Sequence, residues 1–483
     1  MTSIKNILED KGPLLSGELI EILILEHGIS NEAARKRISR MNTPVHKIKG
    51  FFTENQTFCY LSTQYKQDIY FEGLRNAFRS SAKRIYSIIL ALENHHGYLH
   101  KEQLAAYSFS PVLALKGHKR FDVLIKNLLT MNVLKEENDY YIINNQMALI
   151  EPNHSQYKAI AVTQKFLLDQ FSEWTRNIGL GSYNTGKIYS DFGNFKWGFT
   201  SISYSIGISN FKDGKKSAGF IVADVILGNS LSLHDVDFFL QKISILQQMK
   251  SLPKFIPFLI VDSLSAEALS KLKEKGVIIG FVNELFGKGF TELLKSLINT
   301  IAHAGAILKT NPEGFLNLMD KIDGLVQGKT NNLRGDLFEL AVGFYHSRFC
   351  QSIDIGKLIN VEGNRRELDV FAIYADKIIV AECKGYKRKA SLAEVEKWTS
   401  DKIPLIRKWI SSQPTFNNKD LVFEFWSTGG FEDDALHKIG TLIKVKKYTL
   451  HFYAEKEILD KGKSLSMPRF NETLNQYFFK ESL

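Results

Sequence analysis

The sequence predicts a multidomain chain in which α+β units at the N-terminus precede two α/β units, and three observations predict it. At 483 residues the chain exceeds the roughly 250 residues at which single cores stop growing, so about two to four domains are expected. Residues 1–150 alternate helical apolar patterns with short strand pairs, and from residue 157 onward long helices alternate with apolar runs of strand length. Two of those runs, Ile221-Val222-Ala223-Asp224-Val225-Ile226 and Ile379-Val380-Ala381-Glu382-Cys383-Lys384, parallel each other and point to a duplicated unit.

Composition narrows the function classes. Hydrophobic residues make up 44% and charged residues 24%, enough apolar mass for real cores. The formal charge of +10 and pI near 9.1 favour polyanionic partners. Cys59, Cys350 and Cys383 show no metal-ligand spacing, and their odd number argues against a disulfide framework. Residues 1–11 lack the apolar core of a signal peptide, and no stretch approaches the roughly 20 apolar residues of a membrane span. A cytoplasmic protein without a membrane partner is expected.

Residues 1–70 form the first expected domain. A helical pattern over 16–26 breaks at His27-Gly28, and Ser30 is placed to cap a helix over 31–41. Residues 45–52 and 57–61 read as strands around Thr53-Glu54-Asn55-Gln56. Arg35, Lys36, Arg37 and Arg40, with Asn31, supply the cationic and small polar groups that a groove-reading helix needs. Helix, turn, basic helix and hairpin resemble a winged helix-turn-helix, which implies DNA contact through these residues; a protein-binding wing with a solvated helix is the alternative. Residues 71–150 repeat the shape, with helices over 82–94, 100–107 and 121–131 and strands over 133–134 and 140–143. This hairpin is more acidic, with a basic cluster only at Lys116, His118, Lys119 and Arg120. His95-His96 has no third ligand at useful spacing and reads as a helix end beside Gly97.

Residues 151–300 form the third expected domain. A helix over 157–174 precedes strands over 187–190, 195–199, 203–208 and 218–228, then helix 233–250, strand 255–261, helix 266–275 and strand 277–279. In the parallel between the two runs, Asp224 stands where Glu382 stands, and Ile226 where Lys384 stands. An apolar side chain cannot orient water or offset phosphate charge. Although Asp191 and Asp224 retain carboxylates, this copy is expected to be silent and to support architecture or substrate binding. Helices over 290–303 and 314–326 lead through a linker at 301–330.

Residues 331–483 carry the constellation suited to chemistry. A helix over 332–345 buries Leu337, Leu340, Ala341 and Phe344, sets Glu339 close to that face, and places Arg334 to meet a phosphate or to pair with Glu339. Two apolar runs follow, Leu368 to Ile373 and Ile378 to Ala381, joined by a tight turn at 374–377, so they form a hairpin. In an extended chain, residues i and i+2 share a face, so Glu382 and Lys384 point one way and Cys383 points into the packing. The hairpin brings Asp369 beside them. Two carboxylates and an ammonium at a sheet edge suit a hard divalent cation and phosphoryl chemistry. Lys387, Arg388 and Lys389, ahead of a helix over 391–411 that carries Glu394, Lys402, Arg407 and Lys408, form a basic rim for sequence-independent backbone contact. Strand 421–426, helix 432–439 and strand 448–453 complete the unit, with Lys444, Lys446 and Lys447 as a solvated face.

Arg334-Gly335-x-x-Phe338-Glu339, then Glu367-Leu368-Asp369, then Glu382-Cys383-Lys384 resembles the PD-(D/E)xK nuclease superfamily, the restriction-endonuclease-like fold, over residues 331–454. Leu368 stands where the superfamily's eponymous proline would be. The resemblance implies that Asp369, Glu382 and Glu339 hold Mg2+, with Mn2+ as a substitute, and that Lys384 assists the attacking water. These four are the expected catalytic residues. The middle segment is then a degenerate relative. The implied activity is a Mg2+-dependent DNA endonuclease of restriction or anti-phage defence. Its implied partners are double-stranded DNA and either a second copy of the chain or a defence-system subunit. Arg334, Lys387, Arg388 and Lys389 would join the N-terminal basic residues in holding DNA. A structure-specific repair or recombination nuclease and a non-catalytic DNA-binding scaffold remain open. RNA is less favoured, because no aromatic-and-basic stacking motif stands out.

Overall fold

The computed structural model describes residues 4–212, 215–325, 331–442 and 448–479. Lys444, Lys446 and Lys447 lie outside the described residues, as does the expected helix end at Val326. The fold is mixed α/β with several sheets. It divides into two compact units, Met1–Asn153 with Gly179–Gly280, and His154–Ile178 with Phe281–Leu483. The segment expected at 151–300 therefore divides between them, because the helix His154–Asn177 belongs to the second unit. Among the described residues no helix is long and apolar enough to cross a membrane.

The first unit opens with two small substructures that share one element order: helix, short strand, two helices, hairpin. In the first, helices Ile4–Lys11, Ser16–Leu25 and Asn31–Ser39 accompany a sheet in which Thr57–Leu61 lies between Leu14–Leu15 and Val45–Lys49. Leu8, Leu19, Leu23, Ala34 and Cys59 form its core. Ser30 Oγ accepts the Ala33 N–H, the cap expected of it. In the second, helices Lys83–Asn94, Lys101–Ala106 and Phe121–Thr130 accompany a sheet with Tyr140–Ile143 between Tyr98–His100 and Leu134–Glu137. The helices Ile4–Lys11 and Asp68–Ser81 were not anticipated.

The remaining sheet of this unit has five strands, β1 (Lys187–Phe192), β2 (Phe195–Ser203), β3 (Gly219–Ile226), β4 (Phe255–Val261) and β5 (Ile278–Phe281), in the order β5-β4-β3-β2-β1. β1, β2 and β3 are antiparallel neighbours, and β3 pairs with β4 in parallel. A parallel strand covered on both faces reads as a continuous apolar run, which is why β3 was legible. The strand expected over 203–208 does not form. β2 ends at Ser203, whose hydroxyl donates to the Leu180 carbonyl and accepts the Ser205 N–H, turning the chain out of the sheet.

The second unit holds an equivalent sheet: β6 (Ser352–Val361), β7 (Asn364–Ile373), β8 (Lys377–Lys384), β9 (Asp420–Ser427) and β10 (Thr449–Tyr453), in the order β6-β7-β8-β9-β10. Again the first three are antiparallel neighbours, and the third pairs with the fourth in parallel. Outside the named strands, an isolated parallel bridge joins Leu231 to Leu264 in the first unit, and another joins Ala390 to Phe431 in the second. The residue after each bridge strand, Ser232 or Ser391, closes a capping box with an acid three positions on, Asp235 or Glu394. The likeness of two short sequence runs thus extends to topology and to a helix cap.

One face of the second sheet packs Val380, Phe423 and Phe425 against Trp398, Ile403 and Ile406 of the helical segment after β8. Leu337, Leu340, Ala341 and Phe344 of the helix Asn331–Ser347 are buried, as expected. Burying each large apolar side chain contributes about 1.5–3 kcal/mol. The helix expected over 391–411 is not uniform: Leu392–Glu396 and Ile403–Ser411 flank a π-turn over Lys397–Lys402, where the Ile403 N–H reaches back to the Trp398 carbonyl. Pro404 explains the widening, since it has no N–H to continue the regular ladder.

Candidate active site

The β7–β8 ladder runs from Ile373 opposite Ile378 to Val370 opposite Ala381 and stops there. One step beyond, the same register sets Asp369 opposite Glu382, on one face of the sheet. The strands part at this point. Asp369 Oδ2 accepts the Cys383 N–H at 2.7 Å, so a side-chain carboxylate takes the donor that a regular ladder would give to a backbone carbonyl. The predicted hairpin therefore does bring Asp369 beside Glu382 and Lys384.

Glu382 is only 4% exposed. Its Oε1 lies 2.7 Å from Lys384 Nζ. Both of its oxygens also accept from Lys402 Nζ, at 2.8 and 2.6 Å. Lys402, expected on the basic rim, reaches the site from the π-turn. Burial pushes Asp369 up, the Glu382 charge adds to it, and Lys384, Lys402 and the Cys383 N–H only partly offset this, leaving it at about 6. Burial also pushes Glu382 up, but Lys384 and Lys402 outweigh it and hold the carboxyl below its ordinary value. Burial disfavours the Lys384 ammonium, and the Glu382 and Asp369 charges more than restore it, so this lysine stays protonated.

Glu339 is drawn elsewhere. Its Oε2 accepts from Lys158 Nζ at 2.8 Å, and the same ammonium lies 2.5 Å from Glu367 and 3.9 Å from Asp336. Burial opposes the Lys158 charge, but the three carboxylates outweigh it and raise its pKa well above the usual value. One cation is shared among three half-buried acids. Burial would raise Glu367, but Lys158 and His154 hold it low, while burial raises Glu339 well above its ordinary value, Lys158 opposing this and Asp369, Asp336 and Glu367 adding to it. Asp336 is raised as well, by burial first, with Lys158 lowering it and the Glu367 charge adding to the rise. Among the described residues no three His, Cys, Asp or Glu side chains gather in a geometry that could hold a metal ion. Glu339 is thus paired with Lys158 while still feeling the Asp369 charge.

The remaining pair still fits a divalent cation. Mg2+ is commonly held by one or two carboxylates, with water and substrate oxygens filling its other positions. The donor set here is two hard oxygen ligands on one face, and the Lys402 ammonium on both Glu382 oxygens is a stand-in cation.

Arg334 corrects an expectation. It is 7% exposed, and its guanidinium donates to the Gly385 and Tyr477 carbonyls at 2.6 Å each and to the Phe478 carbonyl. Its guanidinium goes to these carbonyls and not to Glu339, and it ties the Asn331–Ser347 helix to the end of β8 and to the C-terminal segment. Gly385 permits that approach, because a Cβ there would meet the Arg334 carbonyl at 2.6 Å and Phe338 Cβ at 2.7 Å.

Lys387, Arg388 and Lys389 are exposed beyond the end of β8. Arg388 forms a two-pronged pair with Glu394, at 2.7 and 2.9 Å, and stacks on Tyr386, while Lys389 lies 4.0 Å from Asp433. In the first unit, Arg35, Lys36 and Arg40 are exposed and Arg37 is half-buried, and Lys36 pairs with Glu32 at 2.7 Å.

The first unit's counterpart of Glu382 is closed. Asp224 is 1% exposed; one oxygen accepts the Gly198 N–H and the other the Lys242 ammonium, each at 2.6 Å. Lys242 also donates to the Ala106 carbonyl at 2.7 Å and the Lys196 carbonyl at 3.1 Å, and it lies 4.0 Å from the Trp197 ring centroid. Burial drives Asp224 up and Lys242 down despite their mutual attraction. Asp191 pairs instead with Lys196, at 2.7 Å.

No protein-family model and no curated protein matches the chain. Solved structures with some likeness include Can2 from Sulfobacillus thermosulfidooxidans in complex with cyclic tetra-adenylate, at 12% identity over 49% of this chain and 80% of that one, with a TM-score of 0.18. They also include the restriction endonuclease FokI bound to DNA, at 11% identity over 56% and 60% with a TM-score of 0.17, and a further FokI structure, at 12% over 93% and 83% with a TM-score of 0.19. Likenesses at these scores carry no argument about this chain's fold or activity.

Proposed function

We propose that the chain is a divalent-metal-dependent DNA endonuclease of the PD-(D/E)xK type. The observation that carries this reading is the meeting of Asp369, Glu382 and Lys384 where the β7–β8 ladder opens. Asp369 and Glu382 would hold Mg2+ or Mn2+, and the bound ion would supply positive charge at the scissile phosphate. Lys384, kept protonated by its acidic neighbours, offsets charge on the phosphate or orients the water that attacks it. Glu339, already paired with Lys158, would serve as an acidic neighbour of the site.

The basic residues of the two N-terminal substructures, which we read as winged helices, and Lys387, Arg388 and Lys389 would grip double-stranded DNA through its phosphates. The closed Asp224–Lys242 pair supports reading the first unit's large sheet as a silent copy. A role in restriction or anti-phage defence, with a second copy or another subunit, is our preferred setting in the cytoplasm. One observation favours a rival: with Glu382 held by two lysines and Glu339 by a third, the site resembles a remnant in a DNA-binding scaffold. Digestion of a DNA panel with Mg2+ or Mn2+, including flaps, junctions and modified phage genomes, separates these readings. Lys384→Met is expected to lower cleavage by at least about a hundredfold, the scale of losing one charge-stabilising group, with DNA binding retained. Cleavage that persists in the purified variant would falsify the assignment.

A further inference from the structure

Lys242 and Lys402 hold corresponding places in the two units. Each projects from the helical segment after the sheet's third strand onto that strand's acid, Asp224 or Glu382. Lys242 stands ten residues after its capping serine, Ser232, and Lys402 eleven after Ser391. The π-turn over Lys397–Lys402 accounts for the extra residue, because a π-bulge accommodates an inserted residue without losing helical phase. A lysine on the sheet acid is therefore part of the architecture of both copies.

The two lysines differ in how firmly they are held. Lys242 is fully buried and is also fixed by two backbone carbonyls and the Trp197 ring. Lys402 keeps 21% of its side chain exposed. Among the described residues its hydrogen bonds go to Glu382 alone. One can be released to water; the other cannot. A divalent ion taken by the same carboxylate would compete with the ammonium for its oxygens, and like-charge repulsion between the two is amplified in a partly buried site.

We propose that Lys402 is a displaceable counter-cation: it holds Glu382 in the metal-free protein, leaves when a divalent ion takes Asp369 and Glu382, and thereby sets the site's metal affinity. This rests on the metal-dependent reading above. The full chain, as wild type, Lys402→Gln and Glu382→Gln, is titrated with Mn2+, with free ion followed by electron paramagnetic resonance. Lys402→Gln is expected to bind about tenfold more tightly, the scale of one charge-assisted hydrogen bond removed from the competitor. Equal or weaker binding in a variant that melts like wild type overturns the proposal.

Wild-type protein alone supplies a second readout that does not depend on the variant's folding. Acetylation of lysines, mapped by mass spectrometry, should modify Lys402 more readily once Mn2+ saturates the site. Unchanged or reduced labelling overturns the proposal while leaving the metal site intact. Mn2+ binding that is absent from wild type, or that survives in Glu382→Gln, removes the metal reading itself.

Discussion

Asp369 shows how one side chain serves two ends. Its carboxylate replaces a backbone acceptor for the Cys383 N–H, and it faces Glu382 across the opened strands. Burial and the Glu382 charge raise its pKa from 3.8 to about 6. A carboxyl raised on folding lends stability that is complete below its unfolded pKa and is lost as pH rises through the folded one. Metal-free protein should therefore lose up to about 3 kcal/mol between pH 4 and 7 from this group. Asp369→Asn, which keeps an acceptor for Cys383, should flatten that loss. Melting both proteins in chelator across this range checks it, and parallel pH profiles would sink the idea. Asp369, Glu382 and Lys384 were legible because period-two alternation and a four-residue turn dictate who shares a face. Lys158 was not, since 181 residues separate it from Glu339 and no local pattern encodes the contact. Arg334 was misread because sequence cannot distinguish a cation facing solvent from one consumed by carbonyls.

Elements explain what the sequence hid. β6 escaped notice because Gly356, at φ +63°, interrupts the strand opposite the Asp369 position and spoils the alternation of buried residues along it. The helix after β8 was seen, but its π-turn was not, and that turn decides which lysine reaches Glu382. In the first unit, the buried Asp224–Lys242 pair makes a test at the same scale. Removing one partner strands a charge, whereas removing both leaves a site that packing can fill. Lys242→Met should cost about 3–5 kcal/mol, and adding Asp224→Asn should recover most of it, as read from thermal melting. Additive losses in the double variant would show that the pair is not coupled as described.

For the whole molecule, the charge of +10 matters through salt. Removing one cation that pairs with a phosphate should make the slope of log affinity against log salt shallower by about 0.9 on duplex DNA. Arg35→Ala and Arg40→Ala, measured over a salt series, should each show that change if the Asn31–Ser39 helix lies on the backbone; unchanged slopes would place DNA elsewhere. The order of alternating helices and strands was readable along most of the chain, but its grouping was not, because the His154–Asn177 helix joins a unit whose other residues begin far downstream. The shared strand order of the two large sheets has a practical consequence. The chain carries its own matched reference: a sealed acid–lysine couple and an accessible one, in the same tube, buffer and temperature. Any probe of lysine reactivity or proton exchange can be normalised internally, so that a change at one couple and not the other reports ligand rather than solvent.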